Sequence, residues 1–448
     1  MKIAILGGGF TGMTASYYLA KKGHEVTLFE KEKVLGGLAV GFKSKGWDWY
    51  LERAYHHLLD SEDDILDFAQ DVGFKDIFFK ETQTSSLYEI SSHPELVSGS
   101  DFKGIPDQVR DDPAQDGTDY RIIPLDSPQD FLRFPLLSLP EKIRAGIVLA
   151  FLKFSPFLTL YEKTTAEEFL KKTQGEHVWE ILWRDLFRKK FGKYAENILA
   201  TFIWARITKR AKKLGYIKGG FQTFINYTEE QLVNLRVNVF TGFEIKTIEK
   251  RGVGFEINKS EKFDAVISTL PTVIMSKITQ SIFSQPYLKK FSKLKYLHAV
   301  VLILETKQPI LEKTYWLNIC ASKIPIMIVA QHTNFIDKKY YSGNHIAYVG
   351  WYVEREHAFI KMSSKEMLDF CSPYLKKINS SYSLQPTNCY LFHGPFAQPI
   401  FDKDFVKNKP AFITPVKNFY VANLDMTYPY DRGTNYAVKL GREVSGLI

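Results

Sequence analysis

A glycine-rich turn near the start of the chain constrains the fold more than any other feature. The hydrophobic pattern predicts a buried strand over Lys2–Leu6 and a helix over Met13–Lys22. Between them, Gly7, Gly9 and Gly12 form a GxGxxG motif. In such a motif the first glycine permits the tight turn, the second lets a pyrophosphate approach the backbone, and the third lets helix and strand pack closely. The turn therefore predicts a nucleotide site at the positive end of the helix.

An acidic residue follows at the position that this interpretation requires. The stretch 25–30, EVTLFE, predicts the second strand of a βαβ unit and ends with Glu30. A carboxylate at that position can accept hydrogen bonds from an adenosine ribose, and its charge repels a 2′-phosphate. The sequence therefore disfavours NADP at this site.

A second glycine pair, Gly36 and Gly37, favours FAD over NAD as the nucleotide. The pattern ExxxxxGG that starts at Glu30, taken with GxGxxG, resembles the flavoprotein superfamily of amine oxidases, protoporphyrinogen oxidases, phytoene desaturases and UDP-galactopyranose mutases. In that superfamily the second pair lets the chain run close to the dinucleotide. The resemblance implies FAD as the cofactor.

The end of the chain carries a second part of the resemblance. The segment 417–441 predicts a strand over Phe419–Asn423, a polar loop, and a helix that begins near Gly433 or Thr434. In relatives the N-terminus of this helix points at the pyrimidine edge of the isoalloxazine. A helix dipole there stabilises the negative charge of a reduced flavin.

This closing segment departs from the commonest version of the motif. Most relatives carry Ala-Gly-Asp where this chain has Ala422-Asn423-Leu424, and the string over 422–438 resembles a branch described as protoporphyrinogen-oxidase-like. The alternative is that Asp431 and Arg432 only cap and brace the helix. The resemblance implies cofactor contacts at Gly7, Gly9, Phe10, Thr11, Gly12, Glu30, Lys31, Gly36, Gly37, Leu38, His56, Glu244, Ile245, Thr269, Asn423, Arg432, Gly433, Thr434 and Asn435.

The chain is long enough for two connected domains, and the resemblance implies that they interleave. The fold class expected is α/β, with a Rossmann-like FAD-binding domain and an α+β substrate domain. The first domain is assigned to 1–50, 218–275 and 406–448, and the second to 51–217 and 276–405. In the middle piece, 241–249 predicts a strand whose residues 243–245 lie against the adenine in relatives, and 265–271 predicts a buried strand.

One interval does not fit either domain. Residues 93–120 include six aspartates, three prolines and three glycines, and their few large apolar residues show neither helical nor strand period. The composition predicts a disordered surface insertion. The alternative is an active-site lid.

Three histidines are candidates for catalysis. His56 and His57 follow the second glycine pair, where the mutase branch has a histidine-rich segment against the flavin. A histidine there can hydrogen-bond flavin or substrate, or move a proton near neutral pH. His332 lies in QHTN, which interrupts the apolar pattern of three predicted strands over 315–356. Related sequences have a carboxylate where this chain has Gln331, and polar residues at a strand end are also common as hydrogen-bonded structure.

The candidate substrate-binding residues are Arg206, Arg210 and Trp351. On a helix the two arginines would share a face suited to a phosphate or carboxylate. The side chains of Trp351 and Tyr352 could form the wall of a flat pocket. The alternative is that they pack in an aromatic core. The expected partner is therefore a small molecule. In one interpretation of the basic residues, this molecule is anionic.

Composition narrows the class of protein further. The formal net charge is +9, with basic clusters over 184–194 and 206–218 that are either a solvated helical face or a site for an anionic substrate or acidic membrane. There is no nucleic-acid motif, and the three cysteines have neither CxxC nor zinc-site spacing. The start of the chain lacks signal-peptide character, so a cytoplasmic protein is expected. The apolar run 145–154 is too short to span a bilayer but could dip into its surface.

The leading hypothesis is an FAD-dependent oxidoreductase in which substrate hydride passes to flavin N5. A second hypothesis is a mutase-like enzyme of sugar-nucleotide chemistry, in which reduced flavin N5 attacks an anomeric carbon without net redox change. A third is an FAD-binding protein without catalytic activity. The fold does not decide among them, because reaction is set by the site.

Overall fold

The computed structural model describes residues 1–90, 119–211, 213–259, 261–382 and 385–448. The predicted insertion, 93–120, lies outside these residues except for its last two positions. Those two, Asp119 and Tyr120, begin a strand.

The strands belong to two large sheets and three small ones. They are β1 (Lys2–Leu6), β2 (Glu25–Phe29), β3 (Gly41–Phe42), β4 (Leu51–Glu52), β5 (Leu58–Leu59), β6 (Ile77–Glu81), β7 (Thr84–Ile90), β8 (Asp119–Pro124), β9 (Lys213–Ile217), β10 (Asn238–Phe240), β11 (Ile248–Arg251), β12 (Gly254–Ile257), β13 (Glu261–Phe263), β14 (Ala265–Ser268), β15 (Tyr296–Thr306), β16 (Trp316–Ile319), β17 (Ile328–Gln331), β18 (His345–Val353), β19 (Asn388–Pro399) and β20 (Phe419–Val421).

The helices cover both large sheets. They are α1 (Phe10–Lys21), α2 (Asp63–Val72), α3 (Pro128–Arg133), α4 (Leu139–Phe154), α5 (Leu158–Tyr161), α6 (Ala166–Gln174), α7 (Glu176–Val178), α8 (Asp185–Phe191), α9 (Thr201–Thr208), α10 (Phe221–Asn234), α11 (Thr272–Ile278), α12 (Gln285–Lys289), α13 (Ser364–Ile378), α14 (Lys403–Asn408) and α15 (Thr434–Ser445).

The first large sheet is parallel, in the order β10-β2-β1-β14-β20. Its strands come from three separated parts of the chain, 1–50, 218–275 and 406–448. One face packs against α1, α10 and α15, and the other packs against the antiparallel sheet β11-β12-β13. A parallel sheet whose central strand is buried on both faces reads as a continuous apolar run, as β1 does. The predicted α/β fold class with a Rossmann-like domain is confirmed.

The second large sheet is mixed, in the order β19-β15-β18-β17-β16-β7-β8, with β16 and β7 parallel. Alternate residues of β18 face opposite sides. Tyr348 and Tyr352 join the core shared with α1 and α15, whereas Val349 and Trp351 join a separate core with α13. The face that carries Tyr348 and Tyr352 is therefore the one turned toward the first sheet.

The first and last helices of the chain touch at a glycine. A Cβ at Gly441 in α15 would lie 2.5 Å from the carbonyl oxygen of Thr11 and 3.1 Å from the amide nitrogen of Ala15, both in α1. Backbone cannot move aside as a flexible side chain can, so this position requires glycine. The contact fixes the first turn of α1 beside α15.

We expect Gly441→Ala to destabilise the protein by about 1–3 kcal/mol, because the added methyl overpacks a backbone contact. Gly146→Ala is the matched control, since Gly146 also lies within a helix but has open space around its Cβ position. There alanine should be neutral or stabilising by up to about 1 kcal/mol. Urea unfolding of the two variants measures the difference, and equal midpoints would contradict the packing argument.

Two element predictions need correction. Helix α1 begins at Phe10, three residues before the predicted start, because Gly9 is its N-cap and Gly12 lies inside its first turn. Residues 241–247 are not a strand, and β11 begins at Ile248. The amide of Phe243 instead donates to the carbonyl of Glu30 (2.8 Å), which ties this segment to the end of β2 outside any ladder.

The apolar run 145–154 lies within α4. No helix in the described part of the chain combines the length and apolar character that a bilayer crossing needs.

Candidate functional site

The two glycine pairs lie backbone to backbone. The amide of Gly36 donates to the carbonyl of Gly8 (2.9 Å), and a Cβ at Gly37 would lie 3.2 Å from the Cα of Gly9. Gly36 and Gly37 have φ values of 130° and 57°, which other residues rarely adopt. A surface without side chains therefore runs along both loops.

The N-terminus of α1 opens onto this surface. Its N-cap, Gly9, has no side chain to satisfy the first-turn amides, which include those of Phe10 and Thr11. A Cβ at Gly12 would overlap the carbonyl oxygen of Gly7, so only glycine lets α1 start this close to β1. The unsatisfied amides and the helix dipole fit a pyrophosphate.

Glu30 lies beside the same turn. Its Oε2 accepts from the amide of Gly8 (2.8 Å) and its Oε1 accepts from the amide of Glu32 (2.9 Å). On the other side, Thr269 Oγ1 donates to the carbonyl oxygen of Gly7 (3.1 Å). Lys31 is exposed at the end of the strand. The carboxylate is held at the end of β2 where a ribose would be bound.

The remaining predicted contacts lie at different distances from this turn. Ile245 packs into the core under the sheet, and the carbonyl of Glu244 accepts from Asn258 Nδ2 (2.9 Å). Leu38 follows the second glycine pair and is 38% exposed. Asn423 Nδ2 donates to the carbonyl of Leu270 (2.9 Å) and so joins the turns after β14 and β20.

The N-terminus of α15 is the second open helix start. Its N-cap is Gly433, and Thr434 is buried in its first turn. Asn435 Oδ1 accepts from the amide of Ile65 (3.0 Å), which anchors α15 to α2. Glu62 lies close by, and burial raises the pKa of its carboxyl to about 7.

A buried hydrogen-bond donor on Arg53 shows whether these residues fit a dinucleotide. Its Nε is buried and has no hydrogen-bond partner among the described residues, and its guanidinium lies 5.5 Å from the ring centroid of Phe392. The amide of Arg53 donates to the carbonyl of Val40, just after the second glycine pair (3.1 Å). A buried N–H without an acceptor is costly unless a bound group supplies one. Two open helix starts, a bare glycine surface and this donor fit FAD.

An aromatic cluster faces the loop before α15. The hydroxyls of Tyr55 and Tyr352 are 3.4 Å apart, and the ring of Tyr55 meets Trp316 edge-on with centroids 4.8 Å apart. His57 lies against Trp316 with ring centroids 6.0 Å apart. The guanidinium of Arg432 lies 4.7 Å from the ring centroid of Tyr352. We call Tyr55, Trp316, Tyr352 and Arg432 the aromatic–arginine cluster.

Charged side chains converge beside this cluster on Asp431. Lys190 Nζ and Arg206 Nη1 both lie 2.9 Å from Asp431 Oδ2, and Arg432 Nη1 lies 3.4 Å from Oδ1. Burial lowers the pKa of Lys190 to about 7, although Asp431 favours its charged form. Burial alone would raise the pKa of Asp431, but Lys190 and Arg206 outweigh it and hold that pKa below its usual value.

Both adjacent histidines are neutral at physiological pH. Burial lowers the pKa of each to about 4. His56 Nδ1 lies 2.8 Å from the carbonyl oxygen of Ala54, and because a carbonyl can only accept, Nδ1 carries the proton and Nε2 is left as an acceptor. His57 Nδ1 lies 3.3 Å from the hydroxyl of Tyr315. Of the two, His57 contacts the aromatic–arginine cluster, and His56 packs on Phe221.

His332 lies in a closed core and not in the cluster. Its Nε2 is 2.8 Å from the hydroxyl of Tyr341, and burial lowers its pKa to about 3. The preceding Gln331 accepts from the amides of Ile310 (2.8 Å) and Leu311 (3.2 Å). The QHTN segment therefore serves hydrogen-bonded structure, and the predicted catalytic role of His332 has no geometric support.

Two of the three predicted substrate-binding residues also lie elsewhere. Trp351 faces the α13 side of the second sheet and donates from Nε1 to the carbonyl of Pro325 (2.7 Å). Helix α9 ends at Thr208, so Arg210 does not share a helical face with Arg206 and instead donates to the carbonyl of Leu125. Only Arg206 reaches the ion network of Asp431.

The structure adds residues that sequence reasoning missed. Lys190 was one of several cations in the basic run 184–194, and nothing local distinguishes it from its neighbours. Glu52 is fully buried between the hydroxyl of Tyr216 (2.6 Å) and the amide of Phe221 (2.7 Å), and burial raises its pKa to about 7. The sequence could have indicated Glu52, because it is a charged residue among the apolar residues around β4.

A model of the flavin-containing amine oxidoreductase family matches residues 10–446. This chain belongs to that family. Membership confirms the predicted superfamily and the FAD cofactor, and it places the chain in a family of flavin-dependent oxidoreductases.

Individual relatives are distant. The 15-cis-phytoene desaturase of Glycine max is 27% identical over 176 residues, which are 38% of this chain and 28% of that protein. The matched part therefore spans less than a third of that curated relative. An oxidoreductase from Methanosarcina mazei superposes with a TM-score of 0.74 at 18% identity over 99% of each chain. Cyclohexylamine oxidase from Brevibacterium oxydans gives 0.74 at 10% identity, over 100% of this chain and 98% of its own. At these identities the superpositions establish the fold.

We expect Glu30→Ala to weaken FAD binding by about 1–3 kcal/mol, roughly 5- to 150-fold in Kd, because it removes the acceptor at the end of β2. Glu32→Ala is the control, since its exposed side chain lies two residues away. Flavin fluorescence titration of the apoprotein measures both. An affinity for the Glu30 variant equal to that of the control would contradict the assignment.

We expect Lys190 to make the free energy of unfolding depend on pH between about pH 7 and pH 10.4. Its pKa is about 7 in the folded chain and about 10.4 when unfolded, so between these values the unfolded chain holds more protons and the free energy of unfolding rises with pH. Below about pH 7 the cost of burying the charge is fully present. Lys190→Met should lack this rise.

The measurement is urea unfolding at about pH 7 and pH 9.5, compared between wild type and Lys190→Met. Lys193→Met is the control, because Lys193 is exposed and its ion pair with Glu354 raises its pKa. Parallel pH dependences for wild type and the Lys190 variant would contradict the burial of this lysine.

Proposed function

We propose that the protein is an FAD-dependent oxidoreductase that removes hydride from a small organic substrate held against the aromatic–arginine cluster. The observation that supports this most is the position of that cluster. It joins the substrate-side sheet, through Trp316 and Tyr352, to the loop that starts α15, through Arg432. A substrate there would lie next to the helix start that fits the flavin ring.

When bound, the flavin supplies the redox chemistry by accepting hydride at N5. The chain supplies the environment. The open N-terminus of α15 stabilises negative charge at its end. Tyr55, Trp316 and Tyr352 exclude water and orient a flat or apolar group. His56 Nε2 remains a neutral acceptor that can receive a hydrogen bond.

The charges beside the cluster restrict the substrate class. Arg206 and Arg432 both lie beside Asp431, so the two guanidinium groups outnumber the carboxylate even when Lys190 is neutral. Such surroundings repel a protonated amine and favour a neutral or anionic molecule. Among family substrates, polyenes and porphyrinogens meet this condition better than amines do.

The mutase-like alternative was based on the basic region and the histidine segment, and mutases hold a sugar diphosphate with arginines. Arg206 is engaged by Asp431, and Arg210 lies on a different part of the surface. This arrangement gives the alternative no specific support. We keep it as an outcome of the experiment.

Anaerobic stopped-flow reduction of the purified flavoprotein tests the proposal. Amines, a porphyrinogen and a polyene are offered separately, and bleaching of the flavin absorbance is followed. We expect reduction by a neutral or anionic compound and not by amines. Turnover of UDP-hexoses only after dithionite reduction would favour the mutase-like function, and bound flavin without any turnover would favour the non-catalytic one.

Two tryptophans in the same sheet, on strands separated by β17, provide a matched mutational test. Trp316→Leu should lower the rate of substrate-dependent flavin reduction by on the order of 10-fold, because it removes a wall of the cluster. Trp351→Leu should leave that rate unchanged in folded protein, since Trp351 faces the opposite side of its sheet. FAD content and the unfolding midpoint are measured for both variants. Equal rates in the two would contradict the placement of the substrate.

A further inference from the structure

The segment 132–160 exposes an unusual amount of apolar side chain. In α4, Leu139, Ile143, Ile147 and Phe151 recur every four residues, a step that turns each side chain by only about 40° around the helix axis. Flanking turns extend the exposed set. We define the 132–160 surface by Leu132, Leu139, Ile143, Ile147, Phe151, Phe154, Phe157 and Leu160.

This surface is not an unfilled part of the core. The opposite side of α4 carries the fully buried Ala145 and Leu152, so the helix already packs on the protein through another face. Ile147 and Phe154 remain 66% and 83% exposed. A contiguous apolar surface of this kind on a folded chain marks an interaction site.

Cations border the 132–160 surface on both sides. Lys142 and Lys153 flank one edge of the exposed face of α4, and Arg144 flanks the other. Each donates to backbone carbonyls: Lys142 to Leu132 (2.8 Å), Lys153 to Thr208 (2.9 Å), and Arg144 to Thr173 (2.6 Å). Carbonyl oxygens carry no net charge, so within the described ranges of the chain no carboxylate neutralises these three cations.

The carboxylate of this segment, on Glu141, and those on either side of it, on Asp130 and Glu162, have partners of their own. Glu141 accepts from the amide of Ser138 (2.8 Å) and lies 2.7 Å from His177 Nδ1. Asp130 accepts from Ser127 in an N-terminal cap, and Glu162 accepts from the hydroxyl of Tyr428 (2.9 Å). The border of the surface is therefore positive.

We propose that the 132–160 surface docks on an anionic phospholipid bilayer, with α4 lying in the plane of the interface. A 16-residue helix is about 24 Å long, which suits lying in the headgroup boundary rather than crossing it. The apolar side chains enter the acyl boundary, and the bordering lysines and arginine meet anionic headgroups.

A second copy of the chain is the competing occupant, and the charges disfavour it. In a two-fold dimer the same patch faces itself, so the cations that border it, Lys142, Lys153 and Arg144, would meet the same positive border on the second copy. The inward-turned Glu141 could not neutralise them without leaving its helix cap. An anionic bilayer matches both the apolar face and its border.

Flotation of FAD-loaded protein with vesicles tests the proposal directly. Vesicles of phosphatidylcholine with about one third phosphatidylglycerol should carry the protein upward, and pure phosphatidylcholine should carry much less. Ile147→Glu with Phe154→Glu should reduce binding to the anionic vesicles by on the order of 100-fold, since two apolar anchors are lost. Binding should also weaken as salt is raised.

Val253→Glu is the matched control. Val253 is 91% exposed on the hairpin between β11 and β12, outside the 132–160 surface, so this charge should leave vesicle binding unchanged. Flavin absorbance and thermal midpoint confirm that each variant is folded. Absence of binding to anionic vesicles, or equal binding by the double variant and wild type, overturns the proposal.

Two further measurements separate the other outcomes. A polarity-sensitive dye at Ile147→Cys should shift to the blue on anionic vesicles, and no shift despite flotation would overturn the assigned surface. Sedimentation velocity without lipid should show the same species for wild type and the double variant. A wild-type dimer that the double variant abolishes would assign the surface to a second copy instead. None of these readouts uses turnover, so they are independent of the proposed function.

Discussion

The contact between α1 and α15 is the constraint on which the site depends. Gly441 lets the last helix approach the backbone of α1 at Thr11. This approach fixes the N-termini of α1 and α15 relative to each other. A dinucleotide needs positive ends for the pyrophosphate and for the flavin ring, and these come from opposite ends of the sequence. The parallel sheet supports the arrangement, because β1 and β20 flank β14.

The two ends of the site differ in the charged groups that they bury. At the phosphate end the chain presents backbone amides and glycines, which carry no titratable group. At the ring end it buries several ionisable side chains, including Lys190, Asp431 and Arg432. Burying charges is costly unless they pair, and the shared Asp431 provides that pairing. The arrangement fixes the loop before α15 in front of the aromatic side chains.

Local sequence patterns predicted the nucleotide end well. The turn at Gly7, the acid at Glu30 and the last helix near Thr434 depend on residues close in sequence, so periodicity and motif spacing reveal them. For the glycine pair at 36–37 the prediction was proximity to the dinucleotide, and the structure adds its contact with the first turn.

The ring end was less predictable because its residues meet through long-range packing. Lys190 reaches Asp431 across more than half the chain, and no local pattern marks that pair. The helical face expected for Arg206 and Arg210 failed because α9 ends between them. Trp351 and Tyr352 illustrate the same limit: alternation assigns them to opposite faces of β18, but only the packed structure shows which face meets the site.

We propose that one extended FAD contacts the first turn, the second glycine pair and the start of the last helix together. Hydrogen–deuterium exchange of the apoprotein with and without FAD tests this most directly. We expect protection of amides in 7–12, 36–40 and 433–436 at the same FAD concentration. Protection confined to 7–12, with no change at 433–436, would contradict it.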